Sequence, residues 1–168
     1  SIMQRFLTPM VFLSLLLSGA IFGFFYAWVC STMWGLDTLD PNTAIAAMNA
    51  MNISVRNGVF FPAFFGTPIV LTLTSVIAFL AGLRRVAVLI GLGGVIYFVG
   101  AFIPTASVNV PMNIALEAYS EALPLAQAQA IWGEYSPRWQ FWNTARTIVS
   151  GITLLMVGLG LYALPRRA

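Results

Sequence analysis

Three stretches of this sequence run without one charged side chain: residues 6–36 and 86–116, each 31 long, and residues 57–83, which number 27. A fourth, Trp139 to Pro165, carries only Arg146. A helix needs about 20 predominantly apolar residues to cross a bilayer. In hydrocarbon, moreover, only helices and closed barrels satisfy every backbone N–H and C=O. The chain is therefore expected to be an all-α integral membrane protein, a four-transmembrane-helix bundle forming a single domain over residues 1–168. Its spans are expected at about 6–34, 60–83, 86–116 and 139–164, with short extracytoplasmic helices at about 41–56 and 117–135. Composition agrees, because 60% of residues are hydrophobic and 8% charged, against roughly 25% charged in a soluble domain.

The few charges are sorted by side. Arg5, Arg84, Arg85, Arg166 and Arg167 fall at one set of span ends. Asp37, Asp40, Glu117, Glu121 and Glu134 fall in the first and third connections. Arginine-rich ends mark the cytoplasmic side, so both termini are expected there, in a bacterial inner membrane. The net charge of +3 is then a topology signal, and no nucleic-acid partner is expected. The first span shares an Arg and an apolar run with signal peptides, but its length and the lack of a small-residue cleavage site before Trp28 predict a retained helix. Histidine is absent and Cys30 is the single cysteine. The commonest ligand for transition metals is thus missing, and neither a metal centre nor another cofactor is expected.

Against this apolar background the polar residues stand out. Asp40–Pro41 reads as a helix start, a capping oxygen followed by a residue whose missing N–H costs nothing. In the helix that follows, Asn49, Asn52 and Arg56 share one face, opposite Ile45, Met48 and Val55. The stretch SVNVPMN (107–113) puts Asn109 and Asn113 four apart around Pro111, with Glu117 four further on. Two roles are open for the asparagines. They can bond the Gly100 and Ser107 carbonyls that Pro104 and Pro111 leave without donors, or they can face a cavity. In the fourth span Trp139, Trp142, Asn143 and Arg146 follow helical spacing. Arg146 either snorkels to the interface or points inward; an inward intramembrane Arg marks a functional site and needs a partner. Tyr26, Trp28, Trp139 and Trp142 are interface anchors taken singly. Together with the amides and arginines they describe an apolar cavity with converging polar groups, the usual make-up of a small-molecule site. GLGG (91–94) reads as a helix-packing surface and Ser18, Gly19 and Gly23 as a close-approach face; for a non-catalytic accessory subunit, both sets would instead be lipid-facing association faces. No serine or cysteine can pair with a histidine, so nucleophilic hydrolysis is disfavoured. Fixed cationic and amide donors around an apolar cavity suit the stabilisation of oxygen-centred negative charge.

Four segments together, GFFYAW (23–28), AMNAMN (47–52), NVPMN (109–113) and RWQFWNTAR (138–146), resemble the DUF1772, or anthrone oxygenase-like, family of small four-helix membrane proteins. The resemblance runs over nearly the whole chain. It implies a cofactor-independent oxygenase, since characterised fungal members oxidise anthrones to anthraquinones with molecular oxygen. The motif positions matched here are Asn109, Asn113, Trp142, Asn143 and Arg146. On that reading Arg146, Asn109, Asn113 and Glu117 are the catalytic candidates, with Glu117 as base unless it pairs with Arg56 or Arg138. Asn52, Arg56, Tyr26, Trp139, Trp142 and Asn143 are expected to bind the substrate, a polycyclic phenol or related hydrophobic molecule. The competing reading is a non-catalytic accessory subunit that binds a quinone, a lipid or a partner helix through the same pocket, as a homo-oligomer or in a membrane complex. Four helices without repeats make a transporter the weaker third case.

Overall fold

A computed structural model describes residues 2–166, and every regular element in them is helical. Arg167, counted above among the topology signals, lies outside the described residues. Helix α1 spans Ile2–Asp37, α3 Phe61–Leu80, α4 Arg84–Glu117 and α5 Leu125–Tyr162, and all four are long and apolar enough to cross a membrane. Between the first two of these lies the shorter α2, Pro41–Ser54. The expected start of α2 is present: the Thr43 N–H donates to Asp40 Oδ2 at 3.1 Å, with Pro41 in the first turn. The turn leading into α3 is closed by Asn57, whose Oδ1 accepts from the N–H groups of Val59 and Phe60.

The turn from α3 to α4 needs only three residues because Gly82 adopts φ +79°, a conformation that favours glycine. Helix α1 packs on α3 and α5, and α4 packs on the same two, which closes a four-membered ring. GLGG lies inside it. Side chains at Gly91, Gly93 and Gly94 would press on Ser75, Met156 and Leu71. These glycines therefore hold α4 against α3 and α5, and they are not a lipid-facing association surface. Ser18 is likewise fully buried within the bundle.

Apolar packing runs along the axis in three clusters. At the arginine-rich end Leu7, Val11, Leu71, Val86, Ile90 and Val157 meet. Midway lie Ile21, Phe25, Phe64, Tyr97 and Ala101. At the end that carries the acids, α2 lies across the bundle through Ala44, Ile45 and Met48 against Leu116, Trp132 and Trp139. Side-chain amides fasten α2 in place. Asn42 donates to the Leu123 carbonyl and accepts from its N–H, both at 2.9 Å. Asn49 donates to the Leu116 carbonyl at 3.2 Å, at the end of α4.

Two expectations are corrected. The outer segment at 117–135 and the fourth span are not separate elements: Leu125–Tyr162 is one helix of 38 residues. At 1.5 Å per residue it is about 57 Å long, so nearly half of it stands beyond the roughly 30 Å hydrocarbon layer. Pro137 does not break it, because Pro137 and Gly133, whose carbonyl loses its donor, both lie on the exposed side. The second correction concerns the asparagines as repair groups. Helix α4 passes Pro104 through two wide, π-helical turns, Phe98–Phe102 and Thr105–Asn109. Hydroxyls serve the carbonyls there: Thr105 donates to Ala101 and Ser107 to Ile103, at 2.8 and 2.7 Å. Both amide atoms of Asn109 are buried without a partner, so its amide repairs nothing. The same problem at Pro68 in α3 is solved from a neighbouring helix, where the Tyr97 hydroxyl donates to the Phe64 carbonyl at 2.8 Å.

Candidate functional site

Beneath α2, lined by all five helices and open at a rim beside Arg56, lies a cavity of about 270 Å³. Its walls are aromatic: Phe24, Phe25 and Trp28 from α1, Phe60, Phe61, Phe64 and Phe65 at the start of α3, and Trp139 from α5. Six polar side chains reach it, namely Asn52, Arg56, Thr105, Asn109, Asn113 and Arg146. Small-molecule pockets run from roughly 300 to 1,000 Å³. This one falls just below that range, with aromatic walls suited to a compact ring system.

Arg146 points inward and is 4% exposed. It lies seven residues below Trp139, about 10 Å along the helix. Its Nη1 donates to Thr105 Oγ1 and its Nη2 to Asn143 Oδ1, each at 2.9 Å. The guanidinium carbon sits 4.6 Å from the Phe25 ring centre and 5.2 Å from that of Trp139. Desolvated cation–π contacts of this kind contribute about 2 kcal/mol. Among the described residues no carboxylate pairs with it; the ion pair they contain joins Arg56 to Glu117. Among the described residues the Arg146 Nε has no hydrogen-bond partner either. A buried positive charge thus faces the cavity without a protein counter-ion.

The asparagines fill different posts. Asn109 is 1% exposed, and both its amide atoms are unpaired. Asn52 brings a buried, unpaired Nδ2 from α2. A buried polar group left without a hydrogen bond costs about 1–3 kcal/mol, so a cluster of them weighs against stability as its purpose. Asn113 is held at its oxygen, which accepts from the Tyr135 hydroxyl at 2.7 Å and from Trp139 Nε1 at 3.1 Å. The Trp28 and Trp139 rings meet at 51° with their centres 5.2 Å apart.

Four expected site residues lie elsewhere. Asn143 stands behind the cavity, where its Nδ2 donates to the Phe25 carbonyl at 3.1 Å while its oxygen holds Arg146. It positions the arginine and does not touch the cavity. Trp142 is half-buried against Phe141, because the inward line of α5 runs through Trp139, Asn143, Arg146 and Thr147. Tyr26 is 53% exposed and packs on Phe22; Phe25, one residue earlier, takes the inward position. Glu117 is engaged by Arg56 at the rim and lies outside the lining. The phenylalanine wall, Thr105 and Tyr135 also belong to the site and are not among the residues that the sequence singles out. The spacing of Phe60, Phe61, Phe64 and Phe65 on one helical face was the available signal, yet in a chain with 13 phenylalanines it is weak. Among the described residues no group of three His, Cys, Asp or Glu side chains comes together.

Fold and cavity define a class: an integral membrane helix bundle with an aromatic-walled cavity lined by amide and guanidinium side chains. Residues 59–156 match the family model described as anthrone oxygenase, more than half of the chain, and the protein belongs to that family. The matched segment contains Asn109, Asn113, Trp139 and Arg146. No curated protein and no solved structure matches the chain.

Proposed function

We propose that the protein is a membrane-embedded, cofactor-independent oxygenase acting on an anthrone-like or polycyclic phenolic substrate. The observation that carries this reading is Arg146, a buried cation without a carboxylate, beside the unpaired Asn109 amide in an aromatic-walled cavity. An anthrone that loses a ring proton becomes an oxyanion with electron density on the ring carbon opposite. A positive charge within about 4–6 Å favours the ionised form, and donors fixed in a dry site do so more strongly than water. The electron-rich anion passes one electron to O2, and the two radicals combine into a peroxide anion at that carbon, which takes back a proton from water to become a hydroperoxide. Loss of water then leaves the second carbonyl. One O2 is used per substrate; one oxygen atom stays as the quinone oxygen, and the other leaves as water with the two ring hydrogens. The described lining holds no carboxylate, imidazole, thiol or phenol, so the first proton goes to water at the rim beside Arg56.

That same lack of a base favours a second reading, a non-catalytic subunit that binds a quinone or lipid through these donors. Protein reconstituted in lipid nanodiscs and given an anthrone separates the two. Oxygen uptake above the spontaneous rate, with one anthraquinone formed per O2, is expected for the oxygenase. Tight quinone binding with no uptake across several anthrones would assign the accessory role. The arginine asymmetry supports both termini being cytoplasmic; in a bacterial inner membrane, the location proposed, a C-terminal tag should then be shielded from protease in intact spheroplasts.

A further inference from the structure

We infer that the cavity is polarised toward donors so that it selects a flat anion bearing two oxygens, and that Tyr135 and Trp139 are the positioning residues behind this selectivity. The inference deepens the proposed function and rests on it for the aromatic class of the ligand.

An asparagine amide can present either its oxygen or its NH2 group, and at Asn113 the choice is settled by chemistry. An indole N–H can only donate, so the Asn113 atom 3.1 Å from Trp139 Nε1 is the oxygen. The Tyr135 hydroxyl donates to the same atom at 2.7 Å. Both lone pairs of Oδ1 are then used, and Nδ2 is left for the cavity that Asn113 lines. Turning the amide over would set NH2 against an indole N–H and give up the Trp139 bond, with the Tyr135 hydroxyl forced to accept in place of donating.

Arg146 adds donors only, and two of its five N–H groups are engaged, by Thr105 and Asn143. The Thr105 hydroxyl hydrogen goes to the Ala101 carbonyl, so Thr105 brings no donor of its own. The two donor groups share one indole: the guanidinium lies over the Trp139 face and Asn113 at its nitrogen edge. Asn109, unpaired at both amide atoms, can turn either end to a ligand. The complement is a planar ring system with one oxygen on Arg146, ionised because the arginine lacks a carboxylate, and a second acceptor oxygen on Asn113. A cationic or N–H-bearing ring meets the wrong polarity at both places.

Binding to the protein in nanodiscs, read by visible absorption with 1,8-dihydroxyanthraquinone, anthraquinone and anthracene as probes, tests this. The dihydroxy compound should bind about tenfold tighter than anthraquinone and about 100-fold tighter than anthracene, that is about one to two decades in Kd. Its bound form should show the phenolate spectrum at a lower pH than in empty nanodiscs. Asn113→Asp keeps the bonds from Tyr135 and Trp139 but replaces the cavity-side NH2 with an anionic oxygen. It should lose the dihydroxy probe by about 100-fold and leave anthracene unchanged. Should that variant fail to fold, Tyr135→Phe removes one hydroxyl from outside the cavity and should give the same selective loss at about threefold. Equal affinity for all three probes, or unchanged selectivity in both variants, would overturn the inference. Selective binding without oxygen uptake would overturn the oxygenase reading alone; uptake that Asn113→Asp leaves intact would overturn this inference alone.

Discussion

Near the arginine-rich end Ser14 and Thr74 hydrogen-bond each other at 3.1 Å, and Ser75 and Thr153 donate to the carbonyls of Ala87 and Gly93 at 2.6 and 2.9 Å. Beneath α2 the buried polar groups are amides and a guanidinium, and Asn52, Asn109 and Arg146 each keep an atom without a partner. Both regions bury polarity in an apolar bundle. In the first, short hydroxyls fold back on the nearest carbonyl and link helices. In the second, longer side chains with more donors than neighbouring acceptors surround a cavity. Ser18, whose hydroxyl is buried without a partner away from the cavity, shows that one orphan group alone marks nothing. Unpaired groups that converge on a single space do.

The contrast is broken most sharply at Arg146. Arg146→Met should lower oxygen uptake by about 10²–10³-fold, the usual effect of removing a transition-state donor. Its melting temperature should hold or rise, since replacing an uncompensated buried charge by an apolar side chain is often stabilising. A variant with wild-type turnover would remove the cavity from consideration. Next is Asn109→Leu, expected to stabilise by about 1–3 kcal/mol by removing two unpaired amide atoms while oxygen uptake falls by about tenfold. Lower stability together with full activity would make Asn109 a structural residue. Tyr97→Phe should do the reverse and cost about 1–3 kcal/mol by stranding the Phe64 carbonyl, with turnover changed by less than about threefold. Ser14→Ala, in the paired region, should cost about 0.5–1.5 kcal/mol and leave turnover unaltered. The smallest effect is expected at Glu117→Gln. This variant loses a rim ion pair worth about 0–1 kcal/mol and should retain activity; a large drop in turnover would restore the carboxylate as base.

Much of this was readable from the residues in order. The uncharged runs are long because hydrocarbon tolerates no charge, so the number of spans follows from counting. Asp40–Pro41 announces α2 because capping is a local interaction. Arg146, Asn109 and Asn113 stood out because such side chains are expensive in a membrane and need a reason. Tyr26 and Trp142 were misplaced by the same reasoning. Each neighbours an inward residue, and one step along a helix is a turn of about 100°. Composition near a motif does not say which of two adjacent aromatics faces in. Glu117 looked like a base because it continues the four-residue spacing from Asn113, but a surface carboxylate takes the nearest cation, and that is Arg56.

The sequence by itself determined the solvent the protein folds in, the helical class and the short list of polar residues that needed explaining. Each of those follows from free energies of transfer and from contacts within one or two helical turns. The tertiary structure alone decided which of those residues have partners. Asn109 lies without a partner, Asn113 is turned by Tyr135 and Trp139, 22 and 26 residues away in the chain, and Asn143 is spent on the Phe25 carbonyl 118 residues away. Hydrogen-bond satisfaction is a property of side chains brought together from different helices, and it separates a polar group that holds the bundle from one that awaits a ligand.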